Sequence, residues 1–165
     1  MTERRANTVL LALGNDILGD DAVGLLAARA LRSEFGDAVV IEESAEAGLA
    51  LMELLEGYER ALLLDAIVTG RAPIGTVHEF GPGDFARVLA PSPHYAGLPE
   101  ILGLAARLQS PFPSDVRILA LEVENPFEIR EALTPRVAEA LPAFVARARH
   151  ILHEWRPALT CTNTP

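Results

Sequence analysis

Four side chains in this sequence have the types and contexts that could hold a divalent cation. Asp20 and Asp21 directly follow Gly14-Asn15-Asp16-Ile17-Leu18-Gly19, Asp65 closes the run Arg60 to Asp65 (RALLLD), and His94 lies in Ser92-Pro93-His94-Tyr95. Carboxylate and imidazole suit borderline ions such as zinc, nickel or manganese, and such a set leaves positions for water or substrate. Each residue also has a plainer reading. Acids that open a helix cap free backbone N–H groups and favour its dipole. An acid at a strand end is often a turn residue, and a lone histidine is often an ordinary surface group.

The elements that carry these residues decide whether they meet. Thr8 to Leu13 (TVLLAL) is a continuous apolar run, expected for a strand buried on both faces of a parallel sheet. Apolar residues then recur at helical spacing from about Asp21 to Phe35, with Gly36 and Asp37 as the stop. Ala38 to Ser44 reads as a second strand, Leu49 to Leu55 as a helix and Arg60 to Asp65 as a third strand. Gly75 to Phe80 alternates polar and apolar residues and suits an edge strand. A loop rich in Gly and Pro reaches His94, after which Leu98 to Leu108 reads as a helix and Val116 to Val123 as a buried strand. Thr134 to about Trp155 is the closing helix, started by Thr134 as cap and Pro135 at the first helical position, with a kink or break predicted at Pro142.

This alternation predicts a three-layer α/β/α sandwich with a mainly parallel sheet of about five strands, of the phosphorylase/hydrolase type. Functional groups in such folds gather outside the carboxyl ends of the strands. Asp20, Asp21, Asp65 and His94 all belong to that edge. The expected organisation is one domain over residues 1–155 and a tail without fixed structure over 156–165.

Bulk properties narrow the function classes. With 165 residues, half of them hydrophobic, the chain can bury a core without disulfides. Its net charge of −9 opposes phosphate backbones and anionic lipid, so neither nucleic acid nor membrane is an expected partner. All 14 basic residues are arginine, which excludes a P-loop and a Schiff-base lysine. The one cysteine, Cys161, lies near the C-terminus and forms no disulfide framework, and no segment is long and apolar enough to span a bilayer. A cytoplasmic monomer is the expectation. The turn at Gly14 to Gly19 lacks dinucleotide spacing, and an acid beside it would repel a pyrophosphate. No Gly-x-Ser-x-Gly or His-Glu-x-x-His occurs, and His150 and His153 share the last helix near its C-terminus as expected surface residues.

The segment Leu13-Gly14-Asn15-Asp16-Ile17-Leu18-Gly19-Asp20-Asp21-Ala22-Val23-Gly24 resembles a motif of the hydrogenase maturation proteases, which process the large subunit of nickel-iron hydrogenases. Leu64-Asp65-Ala66-Ile67, Ser92-Pro93-His94 with Gly97 and Leu98, and Leu133-Thr134-Pro135 are similar to further motifs of that family, in the same order. The resemblance implies metal ligation by Asp21, Asp65 and His94. It also implies removal of a C-terminal extension from the nickel-loaded large-subunit precursor, whose nickel the ligands would recognise. Zinc or cadmium could take the same ligands in the isolated protein. Asp20 and Asp21 are the candidates for assisting water attack, Asp20 as a general base.

Two departures stand out. Some relatives carry Glu where this chain has Asp21, and the stretch Glu43-Ser44-Ala45-Glu46-Ala47-Gly48 replaces an acid followed by Gly-Gly-Thr. Two other classes stay open at this level. One is a non-catalytic, nickel-dependent chaperone of the precursor. The other is a small-molecule hydrolase or phosphorylase, for which Arg71 and Arg87 would have to supply an anion site.

Overall fold

The computed structural model describes residues 7–81, 84 and 98–155. Strands β1 (Thr8–Leu13), β2 (Val40–Ser44), β3 (Arg60–Ile67), β4 (Val77–Phe80) and β5 (Asp115–Glu122) form one sheet in the order β2-β1-β3-β5-β4. The pairs β1·β2, β1·β3 and β3·β5 are parallel, and the edge strand β4 runs antiparallel to β5. This is the mainly parallel, five-stranded α/β architecture that the alternation of runs predicts.

Helices cover both faces. One face packs on α1 (Val23–Phe35) and α4 (Pro135–Trp155) through residues such as Leu10, Leu62, Leu119, Leu31 and Phe144. The other packs on α2 (Ala50–Leu55) and α3 (Leu98–Leu108) through Leu11, Leu63, Ile118, Leu51 and Ile101. The continuous apolar runs of β1 and β3 follow from this double burial, since both parities of each strand enter a core.

Element limits shift at several points. A 3-10 turn at Gly19–Ala22 precedes α1, so the α-helix proper starts at Val23 and not at Asp21. A second such turn over Gly36–Ala38 delays β2 to Val40. β3 runs two residues past Asp65, because Ala66 and Ile67 continue the ladder against Leu121 and Glu122. The break predicted at Pro142 does not occur: α4 passes through it as one helix. Pro142 and Ala138 are both exposed, so the carbonyl left without its helical N–H can face water.

The segment that includes His94, the Arg87 position and the tail 156–165 with Cys161 lie outside the described residues. Among the described residues, no helix is long and apolar enough to cross a membrane.

Candidate active site at the carboxyl edge of the sheet

The acidic turn is built by two glycines placed where a side chain could not fit. Gly14 has φ 146°, and a Cβ there would lie 2.2 Å from the Asp21 carbonyl oxygen and 3.7 Å from Asp21 Oδ2. Gly24 lets α1 touch the sheet, since its Cβ would fall 2.6 Å from the Leu64 carbonyl oxygen and 2.9 Å from that of Leu13. These contacts bring the Asp21 carboxylate over the end of β1. Between them, Asn15 shapes the loop: its side-chain oxygen accepts from Ile17 N at 3.1 Å and its carbonyl from Leu18 N at 3.1 Å.

Asp65 comes to the same edge from the neighbouring strand. It follows Leu64, which pairs with Ala12 of β1, and alternates with Leu63 and Ile67 on the face covered by α2 and α3. It is fully buried and accepts from Ala66 N at 2.8 Å. Asp21 is 5% exposed. Two buried carboxylates at adjacent strand ends suit a cation, which would offset the cost of desolvating them. Among the described residues no set of three His, Cys, Asp or Glu side chains forms a metal cluster, and the third predicted ligand, His94, falls outside those residues.

Asp20 occupies a different environment from its neighbour. Its Oδ1 accepts from Thr134 N at 2.7 Å and its Oδ2 from the Thr134 hydroxyl at 2.8 Å, with the residue 3% exposed. Thr134 immediately precedes Pro135, the first residue of α4, so Asp20 serves as a cap delivered from 114 residues away, at the positive end of that helix. The capping role expected for an acid here exists, but on α4 and not on α1, which shows no side-chain cap. A cleft of about 460 Å³ lined by Ile74, Glu124, Thr134, Pro135 and Arg136 opens beside this junction.

A further buried acid escaped the reading of the sequence. Glu122, 2% exposed at the end of β5, accepts from Thr69 N (2.8 Å), Thr69 Oγ1 (2.8 Å), Gly70 N (3.1 Å) and pairs with His78 Nε2 (2.7 Å). Burial pushes its carboxyl up, but the bonds from Thr69, His78 and Gly70 outweigh it and hold the group below the usual value. The signal that could have found it is the one that found Asp65: an acid closing an apolar strand. Arg71 stands exposed in the loop that Glu122 braces, its N–H on Thr69 Oγ1 at 3.1 Å. His150 and His153 face solvent beside Glu154 and Glu34, as expected of surface residues.

No family model matches the chain. The hydrogenase 2 maturation protease of Escherichia coli (strain K12) is 30% identical over 135 residues, 78% of this chain and 80% of that protein. The chain belongs to the hydrogenase maturation protease family. The hydrogenase expression/formation protein HupD of Rhizobium leguminosarum bv. viciae is 26% identical over 156 residues, 92% of this chain and 77% of HupD. The solved structure of the hydrogenase maturating endopeptidase HybD from E. coli superposes with a TM-score of 0.73 at 26% identity, covering 89% of this chain and 92% of that one. The family to which the Gly14 to Gly24 turn and the Asp65 motif point is thus the family to which this maturation protease belongs.

Proposed function

We propose that this chain is the endopeptidase that removes a C-terminal extension from the large-subunit precursor of a nickel-iron hydrogenase. The reaction adds water across one peptide bond and releases a carboxylate and an amine. The observation that carries the reading is the pair of buried acids, Asp21 from the β1 turn and Asp65 from β3, at adjacent strand ends in a member of a family of maturation endopeptidases.

Nickel enters as part of the substrate. Asp21 and Asp65 have the donor chemistry to engage the precursor's metal, with His94 as the third donor implied by the family motif. The same set would take zinc or cadmium in the isolated protein. Asp20 is committed to Thr134, so its part is to fix the turn that aims Asp21. It could act as a general base only by giving up the Thr134 hydroxyl.

Incubating the purified protein with nickel-loaded and nickel-free precursor, and weighing the large subunit by mass spectrometry, tests this. The expected result is a shortened subunit from the nickel-loaded form alone. Equal cutting of both forms would remove nickel recognition from the mechanism, and no cutting of either would remove the protease activity.

A further inference from the structure

Burying large apolar side chains is the main driving force of folding, so those left outside are informative when they cluster. Six large hydrophobic residues are exposed among the described residues, and three of them, Ile17 (62%), Phe127 (67%) and Ile129 (81%), sit on two loops that are hydrogen-bonded to each other. Arg130 N donates to the Ile17 carbonyl at 3.1 Å, Gly19 N donates to the Arg130 carbonyl at 3.1 Å, and Leu18 and Arg130 form an isolated parallel bridge. The loops are ordered by the same local device. Asn15 Oδ1 accepts from Ile17 N and Asn125 Oδ1 accepts from Phe127 N at 3.0 Å, so each Asn turn presents the apolar side chain two residues on.

The position of this rim ties it to the site. One loop is the turn that leads directly into Asp20 and Asp21, and the other joins β5 to α4 just before Thr134, the partner of Asp20. Around the apolar groups the charge is one-sided. Within the stretch 124–131, Glu124, Glu128 and Glu131 are exposed against one arginine, Arg130, which is paired with Glu128 at 3.1 Å; of the arginines nearby, Arg29 is taken up by Asp16 and Arg136 shares the cleft with Glu124.

We infer that Ile17, Phe127 and Ile129 form a preformed docking rim for an apolar and basic polypeptide segment of the precursor, next to the bond that is cut. This rests on the proteolytic reading above. Such a segment would cover the apolar side chains, and its cations would meet the surplus acids of the Glu124 to Glu131 stretch, where complementary charge chiefly speeds encounter and fixes register. The arrangement has the form of an interface patch with an apolar centre and a polar border.

Two measurements on the full-length protein with purified nickel-loaded precursor test the inference: the Kd of the complex, and the KM and kcat of processing. Phe127→Ser and Ile129→Ser remove exposed groups, so the melting temperature should not move, while each should raise Kd and KM about tenfold with kcat kept. Leu108→Ser, equally exposed at the opposite end of the molecule, is the control and should change neither. Replacing Glu124, Glu128 and Glu131 together by Gln should flatten the salt dependence of binding. Wild-type Kd and KM in the rim variants would overturn the rim while leaving the protease standing. A wild-type protein that binds through the rim but never shortens the precursor would overturn the protease and keep the rim. A rim whose variants alter self-association in sedimentation, with no change in Kd for the precursor, would be a contact between two copies and overturn the inference.

Discussion

Two acids flank the candidate site from opposite sides of the sheet, Glu43 at the end of β2 and Glu122 at the end of β5, and they are held in opposite ways. Glu43 belongs to a surface cluster. Arg29 reaches it through Nε at 3.0 Å and Nη2 at 2.6 Å, Arg32 at 3.0 Å, and the same Arg29 grips Asp16 of the acidic turn at 2.9 and 3.0 Å. Glu122 is buried and takes its donors from a hydroxyl, two backbone N–H groups and an imidazole. One network uses full charges in water, the other mostly neutral dipoles in the protein. The buried one should matter more to stability, because the Glu122 carboxylate is shut off from water and its charge is met only by these bonds, although Thr69 and His78 are half-buried and Gly70 is exposed.

The sharpest way to break the comparison is Glu122→Ala. It removes four hydrogen bonds at once, from the half-buried Thr69 and His78 and the exposed Gly70, and should cost about 2 kcal/mol, read from denaturant midpoints. An effect as small as that of a surface substitution would mean that the loop after β3 reaches other acceptors, and the contrast would collapse.

Acid titration comes next. The Glu122 carboxyl is held below its usual value by its bonds to Thr69, His78 and Gly70, which outweigh burial. The Arg29 hydrogen bond does the same for Asp16 and, with Arg32, for Glu43. A depressed folded-state value means that the unfolded chain takes up the proton first. The stability from these groups is therefore complete above the ordinary glutamate value of about 4.3 and lost as pH falls through the folded value. Glu122→Gln should flatten this acid limb measurably in thermal melts from pH 6 to pH 3, roughly the range where carboxylates titrate. Glu43→Gln should flatten it less, because solvent screens that pair.

Thr69→Val removes only the hydroxyl from the buried network and keeps the two backbone donors on Glu122. It should cost about 1 kcal/mol, between the full loss and a surface change.

The two networks were unequally visible in the sequence. The strands, their double burial and the edge character of β4 follow from apolar period, a local property, and so do Leu98 to Leu108 and the start of α4 at Thr134-Pro135. Asp65 could be picked out because an acid closes an apolar run, but the same mark at Glu122 passed unread inside Val116 to Val123. The partners could not be seen at all. Thr69 and His78 lie 53 and 44 residues from Glu122, and Thr134 lies 114 from Asp20. Such pairings depend on how strands and helices pack, which no local period encodes. Pro142 shows the converse, since a residue with a strong local meaning left α4 unbroken on a face where it and Ala138, whose carbonyl lacks its helical N–H, are both exposed.

The smallest expected effect is the most discriminating for function. Arg29 is about two-fifths exposed, and its contacts to Asp16 and Glu43 raise its own affinity for the proton well above the ordinary guanidinium value, so it stays charged throughout. Arg29→Ala should nevertheless change global stability by under about 1 kcal/mol, and less at high salt, because exposed pairs trade attraction against hydration and side-chain entropy. Yet Arg29 is the residue that spans from the turn bearing Asp20 and Asp21 to the end of β2. If that span steadies the turn, precursor processing should fall in Arg29→Ala while the denaturant midpoint barely moves, and Arg29→Lys should recover part of it, since an ammonium keeps the charge but loses the two-pronged grip. If processing and stability instead fall together, the surface network is a structural brace like that of Glu122, and exposure has not divided the two acids after all.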